Sequence, residues 1–307
     1  MTVTAGLSGG DGTGWAARRR RAYLAGLLPA LAVLAGITLL PALFLLVMSL
    51  TPLSLVRPET FFDFSDPLGN YRELLRDGRF LNSVGLQLVL SAISVTLQVA
   101  AGLGTALLLN VRSRLFEAVR AAFLVPMILP PIVVALIWKI LYTPDVSPLH
   151  RLLDTLGLPV DSLITDPVLA LWAIAVADTW QWFPFTMLMV LATLQLIPDE
   201  PLEAARIDGA NRWQVFRHIT LAYLRPALVV CALFRLIDSF KAFPLIYVLT
   251  NGGPGTATEV TNFYGFIEAF NFSYWGYASA IATVMLAGAG AAGWVVVRLG
   301  WNEDHHD

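Results

Sequence analysis

Residues 22–56 carry no charged side chain, and about 20 apolar residues in a helix suffice to cross a hydrocarbon layer roughly 30 Å thick. A water-soluble fold would have to cover a run of that length on every side, so the run reads as a membrane-spanning helix. Arg18, Arg19, Arg20 and Arg21 stand directly before it. A cleaved signal peptide has the same order of charge and apolar stretch, but its core is only ~7–15 residues long; this run therefore reads as an uncleaved anchor. Further apolar runs at 82–109, 120–141, 168–197, 227–250 and 273–297 complete six spans. The composition agrees, at 57% hydrophobic and 14% charged, well away from the usual soluble domain. The expected fold class is an all-α polytopic membrane protein with six transmembrane helices.

Basic residues in short loops mark the cytoplasmic side. With the N-terminus inside, Arg18 to Arg21, Arg112, Arg114, Arg120, Arg206, Arg212, Arg217, Arg225 and Arg298 all fall in the cytoplasm, and the arginines of the outer loops are diluted by acids. Residues 1–21, Gly-, Thr- and Ser-rich over 1–17, are expected to form a disordered cytoplasmic arm, 22–297 the membrane domain, and 298–307 a cytoplasmic tail. A net charge of −2 gives no basic face for nucleic acid. The single cysteine, Cys231, leaves no intrachain disulfide, and it reads as packing. No internal repeat suggests two inverted halves.

One cytoplasmic connection, 197–219, is too long and too ordered to be a plain linker. Pro201 fits a first helical turn, and Asp199 and Glu200 suit the positive end of a helix dipole. Gly209 is placed to end that helix in the left-handed conformation. A second amphipathic segment follows, with Trp213, Phe216 and Ile219 on one side. The pair fits a docking element for another protein, and equally two helices resting on lipid headgroups.

The same loop resembles the EAA loop of ABC-importer permeases: Glu203-Ala204-Ala205, Asp208-Gly209-Ala210, Phe216, Ile219, Leu221 and Pro226 keep its spacing, while Ala222 stands where the family has proline. The resemblance runs from about the second span to the end of the sixth. It includes Phe123-Leu124-Val125-Pro126 with Trp138, Trp180-Gln181-Trp182-Phe183-Pro184, and Leu249-Thr250-Asn251-Gly252-Gly253-Pro254, which look like the sugar-type permeases of the maltose and glycerol-phosphate importers. What it implies is a type I importer architecture in the bacterial inner membrane, with both termini cytoplasmic. Its partners would be a second permease, two ATPase subunits and an extracytoplasmic solute-binding protein. The EAA loop, about 198–226, would couple to the ATPase through Glu203, Ala204, Ala205, Asp208, Gly209, Ala210 and Phe216. No Gly-x4-Gly-Lys-Ser/Thr loop occurs, so ATP and Mg belong to the partner ATPase, and no cofactor is expected on this chain.

Arg235, Asp238 and Lys241 fall at three-residue steps in the fifth span, and Asp178 lies in the fourth. A lone charge at the bilayer centre costs on the order of 3 kcal/mol, so such groups face partners or a cavity. Either a structural ion pair or a solute site would explain them. The resemblance to the maltose-type permeases implies a solute path at Trp180, Gln181, Trp182 and Phe185, then Arg235, Asp238, Ser239 and Ala242. Aromatic faces there would stack on sugar rings, Asp and Gln would bind hydroxyls, and Arg235 would also suit a phosphate or carboxylate. The outer loops at 57–80 and 251–255 are candidates for meeting the binding protein, or simple turns. Two other classes compete. An intramembrane aspartyl protease could use Asp178 and Asp238, but the Tyr-Asp and Gly-x-Gly-Asp contexts are missing. A stand-alone ion-coupled carrier fits poorly with six spans and no repeat. Lys139 is expected to snorkel, His218 to lie on a helix face, and His305-His306 to be too isolated for a metal site.

Overall fold

The computed structural model describes residues 12–111, 113–144, 146–157 and 162–301. Thirteen α-helices and no strand of more than a single bridge are found among them. The membrane helices are α1 (Gly12–Met48), α3 (Gly78–Leu109), α7 (Leu169–Leu194), α10 (Leu221–Ser239) and α13 (Trp275–Trp301). Five helices are long and apolar enough to cross a membrane, and the bent pair α4 (Arg114–Ile128) and α5 (Pro131–Tyr142) makes the sixth crossing.

Three expectations are corrected. The span at 120–141 is not one rod: α4 and α5 meet at 99°. Leu129 and Pro130 are extended there, as a residue before proline is driven to be, and Pro130-Pro131 removes two donors. The span at 227–250 is likewise divided. Its helix stops at Ser239, and a separate α11 (Phe243–Leu249) starts with Pro244 in its first turn, where a proline is tolerated. Lys241 therefore lies in the turn between them and not in the helix with Arg235 and Asp238. Finally, the arm expected to be disordered is helical from Gly12, since Ala16, Ala17 and the arginines are strong helix formers that simply extend α1. Residues 1–11 and the tail beyond Trp301, with His305 and His306, lie outside the described residues, whereas Arg298 to Trp301 continue α13.

The body is built on α3 against α7, with α10 packed on both and α13 behind α10. Gly102 permits the α3–α7 approach: a Cβ there would lie 2.5 Å from Thr186 Cβ and 2.9 Å from the Met187 backbone nitrogen. On the coupling-loop side, Ala106, Met187, Val190 and Leu224 form one core. Toward the other end, Val134, Ala135, Ile174, Ile246 and Phe263 form another. Cys231 is buried, as expected of a packing residue, and Lys139 and His218 are exposed.

At the ends of the spans away from the 198–226 loop, short elements α2 (Gly69–Leu74), α6 (Pro148–Thr155) and α12 (Thr261–Phe266) tie the helices together. Asp77 caps α3, accepting from the Arg79 N–H at 2.9 Å and from the hydroxyls of Tyr264 and Tyr277 at 2.5 and 2.6 Å. Arg79 makes a two-pronged ion pair with buried Glu259, both contacts 2.7 Å. The turn after α11 holds Gly252 at φ 83°, with Phe263 against it. Thr258 closes the turn, donating to the Gly253 carbonyl at 2.8 Å.

Candidate functional site

The coupling-loop residues form a corner of two helices. The first, α8 (Asp199–Ile207), carries Asp199 and Glu200 in its first turn. It ends in a Schellman arrangement: the Ala210 N–H donates to the Ala205 carbonyl at 2.9 Å and the Gly209 N–H to the Arg206 carbonyl at 3.1 Å, with Gly209 at φ 80°. The second, α9 (Arg212–Val215), opens with a capping box between Asn211 and Gln214, whose reciprocal bonds are 2.9 and 2.8 Å. A π turn, Phe216–Thr220, then carries the chain into α10, so the second amphipathic segment is the root of a membrane helix and not an independent element. Pro226 sits inside α10, and no break occurs at Ala222.

Apart from its contact with α9, α8 has little support from the body. Glu203, Ala204, Asp208 and Gly209 are exposed, Ala205 and Ala210 are half-buried, and Ile207 is 86% exposed. Phe216 is half-buried and packs on Trp213, with ring centres 5.5 Å apart. Among the described residues neither Glu203 nor Asp208 has a side-chain hydrogen bond or ion pair, and both are exposed. Ala205, Asp208, Gly209, Ala210, Gln214 and His218 border the hollow beneath the corner.

The second assembly lies midway along the helices. Arg235 is 2% exposed, and its guanidinium is held by three neighbours. Nε donates to Gln98 Oε1 at 2.8 Å, Nη1 to Asp238 Oδ2 at 2.9 Å, and its face lies 4.4 Å from the Trp182 ring centre. Gln98 Nε2 in turn donates to Asp178 Oδ2 at 2.7 Å. Asp178 thus meets a basic residue of another helix only through Gln98's amide. Lys241 Nζ lies 3.5 Å from Asp238 Oδ1 at the rim. A cavity of about 210 Å³ opens here, bordered by Asp178, Gln181, Trp182, Arg235, Asp238 and Ala242, among others.

The remaining path candidates point elsewhere. Trp180 packs edge-on against Trp138 in the core, at 5.9 Å between ring centres. Phe185 meets Phe234 at 6.2 Å. Ser239 Oγ lies 2.7 Å from Ser91 Oγ in the α3–α10 seam.

With this geometry in place, the comparisons are specific. Residues 98–300 match the family described as the binding-protein-dependent transport system inner membrane component. The chain belongs to this family. A probable ABC transporter permease of Sinorhizobium fredii is 35% identical, with 87% of each chain covered. The trehalose/maltose transport system permease of Thermococcus litoralis is 36% identical, covering 83% of this chain and 85% of the relative. A crystal structure of a bacterial ABC transporter involved in import of the acidic polysaccharide alginate contains a chain of the same fold. Its TM-score is 0.78 at 21% identity, with 94% of this chain and 99% of that one covered. The chain is therefore a multi-pass permease subunit of an ABC importer, and the protease and lone-carrier alternatives fall away.

The permease holds one polar residue that its loops and charges did not advertise, Gln98. A signal for it exists. Ser83, Gln87, Ser91, Ser94, Gln98 and Gly102 recur at three- and four-residue steps along α3, and all are buried. Such a stripe in an apolar helix marks the face turned to other helices.

Proposed function

We propose that this permease forms half of the path of an ATP-driven importer for a neutral sugar or related polyol. Both termini face the cytoplasm, and the corner at Glu203, Ala204, Ala205, Asp208, Gly209, Ala210 and Phe216 docks on an ATPase subunit. A second, different permease completes the path, two ATPase subunits supply ATP and Mg chemistry, and an extracytoplasmic binding protein delivers the solute. The sugar class rests on the relatives, and the neutral charge on one observation: the two cations bordering this cavity, Arg235 and Lys241, are both paired with Asp238. An anionic solute would have to compete with that carboxylate for both cations.

Beside these paired cations the cavity offers acceptors and an aromatic ring. Gln181 Oε1 is buried without a hydrogen-bond partner, Asp238 is 42% exposed on its side chain, and Trp182 presents a ring. Hydroxyl groups donate to such acceptors, and the apolar face of a pyranose stacks on indole.

The test is solute-stimulated ATP hydrolysis by the reconstituted complex with its binding protein. Neutral sugars should stimulate, while sugar acids and sugar phosphates of similar size should not. Gln181→Leu and Asp238→Asn should lower uptake without altering solute affinity of the binding protein. Preferential stimulation by an acidic sugar, or unchanged uptake in both variants, would overturn the reading.

A further inference from the structure

A second, larger hollow lies on the coupling-loop side of the body, away from the polar centre. Its volume is about 720 Å³, within the range of ligand-sized sites. It opens where α3 and α13 splay apart over α10: Val99, Leu221, Leu228, Val229, Ala232 and Val296 make its walls, and no acidic residue borders it. Arg217 and Arg225 are the charged groups on its border. Arg217, Leu221, Arg225, Leu228 and Ala232 follow one stripe of the chain at steps of three or four, so the groove grades from charged at its loop end to apolar within.

The surroundings are those of a membrane–water boundary. Arg298 lies over the Trp294 ring at 4.8 Å, Trp294 is 59% exposed and Tyr223 43%. Amphipathic aromatic rings concentrate at headgroup level. An apolar groove headed by guanidinium groups has a charge pattern that matches a phosphodiester carrying acyl chains. A zwitterionic lipid fills the apolar part equally well but brings its own cation to the arginines.

We propose that this groove binds an anionic phospholipid from the leaflet on the coupling-loop side, with the phosphate at Arg217 and Arg225 and an acyl chain along Leu228, Val229 and Ala232. Arg225 has other contacts within the protein as well, and exposed Arg217 carries the larger share of the headgroup contact. The site sits at the root of α10, the helix that joins the coupling corner to Arg235, so its occupancy bears on the element that must move.

Native mass spectrometry of the intact importer complex tests this, with phosphatidylglycerol and phosphatidylcholine of identical acyl chains supplied in equal amounts. The complex should retain phosphatidylglycerol in preference. Arg217→Gln should lower that preference roughly fivefold, the effect of about one interfacial charge. Ala232→Phe, which leaves both arginines in place, should reduce lipid retention by filling the groove. Millimolar inorganic phosphate should leave the ratio unchanged, since it lacks the chain. Equal retention of the two lipids, a ratio unmoved by both variants, or displacement by free phosphate overturns the proposal. So does a cross-link to the second permease from a photoreactive amino acid placed at Ala232, which would put protein in the groove.

Discussion

Gln98 Nε2 lies 2.7 Å from Asp178 Oδ2 across the α3–α7 interface, and the same amide accepts from Arg235 with its oxygen. One neutral side chain thus separates a buried acid from a buried base while satisfying both. Removing it leaves two ionisable groups short of a partner in an apolar setting, at about 1–3 kcal/mol or more for a charged group. Gln98→Leu should therefore lower the thermal midpoint of the solubilised complex clearly. A midpoint unchanged from wild type would mean that water replaces the amide at no cost.

The coupling corner rests on one left-handed residue. A Cβ at Gly209 would meet nothing within 4 Å, so any penalty there is backbone conformation, not crowding. Gly209→Ala should cost about 1 kcal/mol and keep some coupling, because Ala can reach φ 80° with strain. Gly209→Pro cannot reach it and also loses the N–H to the Arg206 carbonyl. The proline variant should insert and assemble yet lose solute-dependent ATP hydrolysis. Normal hydrolysis in the assembled variant would disprove the role assigned to the corner.

At Gly102 the prediction is steric. The 2.5 Å approach to Thr186 Cβ leaves no room for a methyl group, and the neighbouring contact is backbone, which cannot swing aside. Gly102→Ala should push α3 from α7 and destabilise the fold by about 1–3 kcal/mol, the usual range for overpacking. Gly104→Ala is the control, since its Cβ would have nothing within 4 Å. Equal expression and melting of the two variants would refute the close approach.

Acidity should act on the cap of α3 and its surroundings in two opposite ways. Burial pushes the Asp77 carboxyl up, but the hydroxyls of Tyr264 and Tyr277 and the N–H groups of Phe80 and Arg79 outweigh it and hold it below the usual range. Its stabilisation is present above the ordinary carboxyl pKa, near 4, and is lost as pH falls through the lower folded value. Burial raises Glu268, against the opposing influence of Tyr264 and Arg79. Its ionised form therefore weighs against the fold once pH rises through that higher value. Asp77→Asn should lower the melting midpoint at pH 7, and its difference from wild type should shrink as acid protonates the native carboxylate. Glu268→Gln should raise the midpoint at pH 7. The same sign for both variants at pH 7 would contradict this pairing.

The parts of this architecture that were legible in the sequence are those decided locally. Spans at 82–109, 168–197 and 273–297 follow from long apolar runs, broken in the second by Asp178 alone among charged residues, and the corner from Pro201, Gly209 and the spacing around them. Chain breaks were less visible. Pro130-Pro131 and Pro244 are plain to see, but a proline inside α7, Pro184, interrupts nothing, so proline alone does not say which helix divides. The polar centre was half visible. Arg235, Asp238 and Asp178 stand out because charge is rare in such helices, whereas Gln98 is neutral and gains its meaning only from partners 80 and 137 residues away. Trp180 was misleading for the reverse reason: indole serves core and ligand alike, and its neighbour Trp138 decides the matter.

The run from Arg212 to Ser239 is one helical rod of 28 residues, roughly 40 Å at 1.5 Å per residue. Its foot is the corner with α8, and Arg235 stands near its head. A rod of this kind acts as a crankshaft. Between Asn211 and the guanidinium the helix has no chain break, and its winding is disturbed at the π turn Phe216–Thr220 and at Pro226, which lacks a backbone donor. A twist of the foot would turn Arg235 against Gln98 and Trp182, or be absorbed at those two places. In the proposed importer, the timing of solute release becomes a question of torsional stiffness in the lower half of one helix.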